Sequence, residues 1–187
     1  KNFSDFYLAW ASAIMFKFNH RESIDLDFFK GIPFSFNRIS LKIRKNFEIQ
    51  KEERGVDNTD FYIEGVKVSF VFFPFRNIKP FENFKGIKKA DDYDIFLNKI
   101  YTAGRRIEVK DPYDVAFLQK TYNWDKEKIE NDFEKKFPGQ SYKIYLGALL
   151  NFDDYSGLPD WVKQVLLGLN KTMSLLVSRR GSVPIPN

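Results

Sequence analysis

The sequence predicts an α+β protein in which a small mixed sheet with helices is followed by a helical C-terminal part. The first half of the chain alternates between segments of period-two spacing and segments of helical spacing, whereas helical spacing alone continues beyond about residue 90. This order is typical of a sheet with helices packed on it, joined to a helical extension. A length of 187 residues suits one such domain. We therefore assign residues 1–90 to a core that contains the sheet and residues 91–187 to helices packed on that core.

The composition favours a folded protein and limits its chemistry. Apolar residues make up 43% of the chain and aromatic residues 18%, which is enough to build a sizeable core. The net charge of +5 allows a nucleic acid or nucleotide partner without requiring one. The chain has no cysteine and one histidine, so a disulfide framework, a thiolate metal site and a multi-histidine zinc centre within one chain are excluded. Binding of magnesium by carboxylates stays open.

The start of the sequence shows neither a membrane anchor nor a signal peptide. The longest apolar stretch there, Phe6–Phe16, is too short to span a bilayer and includes Ser12. We therefore expect a cytoplasmic protein that does not bind membranes.

Strands and helices are predicted in turn along the first half. The run Asp5–Ala9 predicts a short buried strand, and Ser12 lies where the N-cap of a following helix would be. Alternation predicts a strand over Ile24–Phe28, and Gly65 predicts the turn of a hairpin. Further predicted elements are a basic amphipathic helix over Phe34–Asn46 and strands over residues 47–53, 60–65 and 66–75.

Five helices are predicted in the second half. The first ends at Gly104, and the second begins with Asp111 at its N-cap and Pro112 at its first helical position. The helix over residues 123–137 is polar and highly charged, and we expect it to face water. The predicted helices cover residues 91–104, 111–122, 123–137, 141–152 and 159–170.

Asp25 and Asp27 are the first candidates for chemistry, because two like charges inside an apolar run are costly to bury without compensation. In a strand they would point to one face with Cα atoms about 6.5 Å apart, while Ile24 and Phe28 would face the core. Two carboxylates at this spacing can hold one or two hard cations. The alternative is a strand face covered only by water.

Three further positions each admit a functional and a structural interpretation. Ser12 would place a hydroxyl and free N–H groups near phosphate oxygens, or it would only cap a helix. Lys99 lies in an apolar helix, where its charge would meet a triphosphate or extend to water. Asp111 and Asp114 are one helical turn apart, and Asp111 would be either a third functional carboxylate or a helix cap.

A series of motifs follows in order along the chain. The first reads FYLAWASAIMFKFNHRESIDLDFF and contains His-Arg followed by Ser-x-Asp-x-Asp-Phe-Phe. The later ones are GVKVSFVFFP at Gly65–Pro74, DIFLNK at Asp94–Lys99, then Arg105, and KDPYDV at Lys110–Val115. In order and spacing, over residues 5–120, this series resembles the AbiEii/AbiGii toxin family of nucleotidyltransferases.

The resemblance implies a polymerase-beta-like nucleotidyltransferase fold and a magnesium-dependent reaction. Enzymes of this family transfer a nucleotide from a nucleoside triphosphate to an acceptor, and several relatives use RNA, notably tRNA. The family's toxins pair with a cognate antitoxin protein encoded beside them. The site residues that the resemblance implies are the magnesium ligands Asp25 and Asp27, the acidic residue Asp111, and the nucleotide-binding residues Ser12, Lys99 and Arg105.

The turn before the first helix departs from the family pattern, because Trp10 and Ala11 replace two glycines that let the backbone approach phosphates. Ser69 also stands at a strand position where enzymes of this fold often have a carboxylate. An alternative function is therefore a catalytically degenerate protein that binds RNA or a partner protein through basic helices such as Phe34–Asn46. Transfer of a nucleotide to a small molecule is a third option.

Overall fold

A seven-stranded mixed sheet organises the first half of the chain, in a computed structural model that describes residues 3–22 and 24–170. Seven α helices occur in these residues, so the predicted α+β class is confirmed. The strands are β1 Tyr7–Ala9, β2 Leu26–Lys30, β3 Lys51–Arg54, β4 Asn58–Ile63, β5 Val66–Phe72, β6 Glu82–Phe84 and β7 Ile87–Lys89. The helices are α1 Trp10–Phe18, α2 Phe36–Arg44, α3 Asp92–Ala103, α4 Lys110–Tyr122, α5 Lys126–Lys136, α6 Tyr142–Leu150 and α7 Asp160–Leu169.

The order of the strands places β2 in the middle of the sheet. The order is β3-β4-β5-β2-β1-β7-β6, with β2 antiparallel to β1 and parallel to β5. One row of paired residues crosses four strands, from Ala9 to Asp27, then to Ser69 and to Asp60. Because paired residues of neighbouring strands lie on the same face of a sheet, these side chains share one face.

The chain forms two compact units, Lys1–Ile95 and Phe96–Asn187. In the first unit, α2 packs against the sheet through Ile39 and Ile43, whose spacing of four residues puts them on one face of the helix. They meet the rings of Phe61 and Phe70, which are almost fully buried. Burial of apolar side chains of this size stabilises the fold by roughly 1.5–3 kcal/mol each.

Strand β2 begins two residues later than predicted, and side chains pack on both of its faces. Asp25 precedes the strand, and Ile24 is 68% exposed instead of lying in the core. On the face that carries Asp27, Phe29 is fully buried among three aromatic rings. The expected division into one apolar and one polar face is therefore wrong, because a central strand has packed side chains on both faces.

Two hairpin turns use left-handed backbone conformations. Glu64 and Gly65 join β4 to β5 with φ values of 50° and 78°, which confirms the predicted turn. Lys85 and Gly86 join β6 to β7 with φ values of 49° and 83°. Positive φ at both central residues matches the right-handed twist of the paired strands. The β6–β7 hairpin was not predicted, because its three-residue strands are too short to show alternation.

In the second unit, α4 and α6 both contact α7, and α5 contacts α6. The helix expected to face water has an apolar side, since Ile129, Phe133 and Phe137 are fully buried. The ring of Phe137 stacks on that of Tyr101 with centroids 4.4 Å apart. Three apolar residues at intervals of four positions define this side of the helix. It was not predicted, because most other residues of the segment are charged.

The helices of both units are short. The longest one described, α4, has 13 residues, whereas a membrane-spanning helix needs about 20. Within residues 3–22 and 24–170, no helix combines the length and apolar character that crossing a membrane requires.

Candidate functional site

The turn between β1 and α1 is strained at Trp10. Its φ is 63°, in the left-handed region that costs a residue with a side chain roughly 1–2 kcal/mol. The indole ring packs edge-on against the ring of Phe29 with centroids 5.0 Å apart, and this contact offsets part of the strain. The backbone here adopts the conformation that glycine reaches most easily, which accounts for the glycine in the family pattern that this segment resembles.

Ser12 does not cap α1 as predicted. The helix begins at Trp10 with Ala9 as its N-cap, so Ser12 is the third helical residue. The Ser12 side chain is fully buried, and its Oγ has no hydrogen-bond partner among the described residues. Since alanine offers no capping oxygen, the first-turn N–H groups of α1 can bind an anion.

Asp27 lies beside this N-terminal turn. Ala9 ends β1, caps α1 and pairs with Asp27 of β2. Paired Cα atoms of antiparallel strands are about 4.5–5.5 Å apart, so the position of Asp27 relative to the turn is set by the sheet. Asp25 and Asp27 are both half-buried. The structure therefore brings Asp27 and the first turn of α1 together, with Asp25 two residues before Asp27.

Lys67 and Asp60 complete the polar row on the same face. Asp60 is buried, and its Oδ2 lies 2.8 Å from Nζ of Lys67. The side-chain amide of Asn58 donates to the other carboxylate oxygen at 2.9 Å. Burial alone would lower the pKa of Lys67, but the hydrogen bond to Asp60 and the charges of Asp60 and Asp27 raise it above its ordinary value. Lys67 is thus a firmly charged cation in the field of both carboxylates.

The acidic residues of the first unit fit one kind of metal site. Among the described residues, no three acidic or imidazole side chains form a group that could hold a metal ion. Magnesium in nucleotide sites, however, usually takes one or two carboxylates and completes its coordination with phosphate oxygens and water. Two half-buried carboxylates, Asp25 and Asp27, are as many as such a magnesium site needs, whereas the described residues offer no centre of three carboxylates.

In the second unit, Lys99 forms the centre of a buried ion cluster. Its Nζ lies 2.7 Å from Oδ1 of Asp111 and 3.0 Å from Oδ2 of Asp114, and all three side chains are almost fully buried. Lys99 therefore does not extend to water. Asp111 is the second residue of α4, whose N-cap is Val109, so the predicted capping role of Asp111 is wrong.

Arg106 joins the same cluster from the surface. Its Nε donates to Oδ2 of Asp111 at 2.8 Å, and its side chain is 40% exposed. Burial would raise the pKa of Asp111, but Lys99 and Arg106 together hold this pKa below its ordinary value. Arg105, the predicted nucleotide ligand, donates to the hydroxyl of Tyr101 at 2.7 Å and lies over its ring, and its role as a ligand stays a prediction.

Sequence reasoning missed three members of these arrangements, namely Asp60, Lys67 and Arg106. Asp60 and Lys67 were parts of two ordinary strands, and only the register of β4 with β5 brings them into the row of Asp27. Arg105 and Arg106 are adjacent and chemically identical, so the sequence contains no signal that separates them. Lys99 and Asp111 were both candidates, but their pairing was not predicted.

Comparison with solved structures assigns the fold. A crystal structure from Helicobacter pylori, described as a "putative nucleotidyltransferase", matches 95% of this chain and 88% of its own chain with a TM-score of 0.50 and 17% sequence identity. The fold is thus that of a nucleotidyltransferase-like protein. The crystal structure of JHP933 from Helicobacter pylori matches 95% of this chain and 85% of its own with a TM-score of 0.47 and 17% identity.

Comparison of sequences assigns the family. The chain is 32% identical over 155 residues to the uncharacterized protein aq_aa25 of Aquifex aeolicus (strain VF5), and the match covers 81% of this chain and 75% of that protein. The chain therefore belongs to the same family as aq_aa25. No family model matches the chain, and membership of the AbiEii/AbiGii family stays a prediction.

Replacement of Lys67 is expected to change metal affinity. Lys67→Met removes a positive charge near Asp27, so the affinity of the protein for Mn²⁺ should rise several-fold at low salt and less at high salt. This affinity would be measured from the electron paramagnetic resonance signal of free Mn²⁺. Lys51→Met is the matched control, because Lys51 also pairs with a strand carboxylate, Glu53, at 2.6 Å. Equal Mn²⁺ affinities of the two variants would contradict a role for Lys67 near the metal.

Replacement of Asp111 is expected to destabilise the protein in a pH-dependent way. Asp111→Asn breaks a buried ion pair, which should lower the free energy of unfolding by about 3–5 kcal/mol near pH 7. Because the folded-state pKa of Asp111 is below its ordinary value, the stabilisation is complete above about pH 5 and is lost as the pH falls through the folded-state pKa. Urea unfolding at several pH values would measure this effect.

The control for that experiment is Asp153→Asn, which removes an exposed carboxylate from the same unit and should change stability by less than about 0.5 kcal/mol. A difference between Asp111→Asn and the wild type that stays constant down to pH 3 would show that the carboxylate does not act through its charge.

Proposed function

We propose that the protein is a magnesium-dependent nucleotidyltransferase of the AbiEii toxin type, which transfers a nucleotide from a nucleoside triphosphate to an RNA acceptor such as tRNA. The observation that supports this most directly is the pairing of Ala9 with Asp27. It puts a helix N-terminus suited to phosphate beside a carboxylate suited to magnesium. A magnesium–triphosphate complex presents negative phosphate oxygens to the helix N-terminus and a positive metal ion to the carboxylate.

Different residues of the first unit would bind the metal ion and the phosphates. Asp25 and Asp27 would hold magnesium, which when bound neutralises charge on the transferred phosphoryl group. The first-turn N–H groups of α1 would bind phosphate oxygens, and the buried hydroxyl of Ser12 lies in the same turn. The ammonium of Lys67, which pairs with Asp60, would reduce the repulsion between Asp27 and Asp60.

The second unit would contribute through its ion cluster. We assign Lys99 a positioning role, because two carboxylates surround its buried ammonium group. Asp111 would orient Arg106, whose side chain is 40% exposed. Arg105 is exposed as well, and its proposed role as a nucleotide ligand rests on the motif resemblance. The toxin role, and the cognate antitoxin that goes with it, depend on the motif resemblance alone.

Trp10 favours a second candidate function, a protein of this fold that binds RNA or a partner protein without catalysis. A large side chain occupies the turn where the resembled family has glycine, and its indole is fixed against Phe29. Such a ring limits how closely a ligand can approach the first turn of α1. The two functions differ in whether the native protein binds nucleotides.

Transfer of labelled nucleotide to RNA tests the proposed reaction. The protein would be incubated with total RNA, magnesium and each labelled nucleoside triphosphate in turn. Asp27→Asn should lower the transfer rate at least a hundredfold, because loss of a metal ligand removes several kcal/mol of charge stabilisation. Asp57→Asn, an exposed carboxylate of the same unit, should leave the rate unchanged. Equal transfer by Asp27→Asn and the wild type would refute the assignment of the site.

Restoration of glycine distinguishes the two candidate functions. The wild type should bind at least one magnesium–nucleoside triphosphate saturably in isothermal titration calorimetry, and Trp10→Gly/Ala11→Gly should bind it within a few-fold of the same affinity. Binding that appears only in the double variant would instead support the non-catalytic function. Thermal unfolding serves as the control for folding, because the double variant also loses the contact of Trp10 with Phe29.

A further inference from the structure

A surface pocket of about 290 Å³ lies along α6 in the second unit. The helices α5, α6 and α7 all contribute to its lining, which combines charged, phenolic and leucine side chains. Its volume corresponds to that of about ten water molecules, close to the lower limit for sites that bind small organic molecules. None of its described lining residues was a candidate for the proposed reaction, so the pocket requires an interpretation of its own.

Tyr142 brings a hydroxyl without a partner to this pocket. The residue is 3% exposed, and its Oη is buried without a hydrogen bond to any described residue. Its ring packs edge-on against that of Phe133 with centroids 5.7 Å apart. A phenylalanine would keep this ring contact and would avoid the free-energy cost of a buried hydroxyl that makes no hydrogen bond. A ligand oxygen that accepts from Oη would remove the same cost.

The surroundings of this hydroxyl keep it protonated. Burial, and next the charge of Glu130, raise the pKa of Tyr142 above its ordinary value. Glu130 therefore acts on the hydroxyl through its charge, without accepting a hydrogen bond from it. Both residues line the pocket, so at neutral pH the pocket contains a buried hydroxyl that is able to donate.

The charges in the described lining leave one ammonium group in excess. Lys143 and Glu130 lie 3.8 Å apart and form a loose ion pair. Lys126 is half-buried, and its ammonium group has no ion-pair partner within residues 3–22 and 24–170. A ligand with a single negative charge would neutralise this excess, whereas a neutral molecule would not.

Gly147 leaves open space in the pocket. A Cβ atom added at this position would meet no atom within 4 Å, so a larger residue here would fill volume that is free in the structure. Leu146, Leu150 and Leu169 line the same pocket and offer an apolar surface. The pocket thus combines an apolar surface with a donor hydroxyl and a surplus ammonium group.

We propose that this pocket binds a small monocarboxylate with an apolar body. The carboxylate would accept from the hydroxyl of Tyr142 and neutralise the ammonium group of Lys126. The apolar body would lie against the three leucine side chains and the open position of Gly147. A fatty acid of medium length and an aromatic acid share this chemistry. The inference does not depend on the proposed function.

Calorimetric titration of the full chain tests the proposal and separates the two sources of the carboxylate. The probes would be octanoate, phenylpropanoate and the corresponding neutral amides. At least one acid should bind saturably at one site per chain, and its amide should bind at least tenfold more weakly because it lacks the charge. Absence of saturable binding for both acids would overturn the proposal, as would equal affinities of an acid and its amide.

Removal of the hydroxyl separates a ligand role from a structural one. Tyr142→Phe should weaken binding of the acid at least tenfold, while the unfolding temperature without ligand should stay the same or rise. Tyr145→Phe is the matched control, because Tyr145 lies in the same helix but already donates its hydroxyl to Gln140. It should lower the unfolding temperature and leave acid binding unchanged. Equal acid affinities of Tyr142→Phe and the wild type would overturn the proposal.

Two further pairs of variants test the location of the site. Gly147→Leu should abolish acid binding, whereas Gly168→Leu should bind normally, because Gly168 has equally open surroundings in α7 but does not line the pocket. Lys126→Met should weaken binding several-fold and reduce its dependence on salt, whereas Lys135→Met, in α5 outside the pocket, should not. Normal binding by Gly147→Leu would overturn the assignment of the pocket, and equal affinities of the two lysine variants would overturn the role of Lys126.

Discussion

The pairing of Ala9 with Asp27 is the contact on which the candidate site depends. β1 has only three residues, and the chain passes from the last of them directly into α1. No loop intervenes, so the ladder between β1 and β2 fixes where the first turn of α1 begins. The flanking pairs of Tyr7 with Phe29 and Leu8 with Phe28 hold this ladder in register through packed side chains on both faces, of which only Phe28 is half-buried and not fully buried. A shift of one residue would turn every one of these side chains to the wrong face.

Each unit compensates its buried carboxylates differently, and the difference bears on function. In the second unit, Lys99 lies fully buried between Asp111 and Asp114. Such a cluster is costly to disturb and suits a structural or positioning role. In the first unit, Lys67 is about one-third exposed and acts on Asp60 directly and on Asp27 through its field. Since this cation is shared and accessible, a metal ion or phosphate can change the balance of charge there, as a ligand site requires.

The sequence indicated local elements more reliably than their arrangement in space. Period-two alternation located β2 to within two residues, and the turn at Gly65 was predicted because only a few residue types favour its backbone conformation. The placement of Asp60 beside Ser69 depends on strand order and register, which long-range packing decides. Ser12 was placed at a cap on residue type alone, but the N-cap of α1 is Ala9, three residues earlier, and the helix begins in a strained turn at Trp10.

The strain at Trp10 connects local sequence preference with long-range packing. Local preference argues against a tryptophan with φ of 63°, so the surrounding structure must hold it there. The contact with Phe29 does so, and Phe29 is itself fixed by its place in β2 two residues after Asp27. The same strand therefore positions the carboxylate and supports the ring beside the helix N-terminus. A change that repacked Phe29 would be felt at the turn and at Asp27 together, which makes Phe29 the residue through which the core controls the geometry of the site.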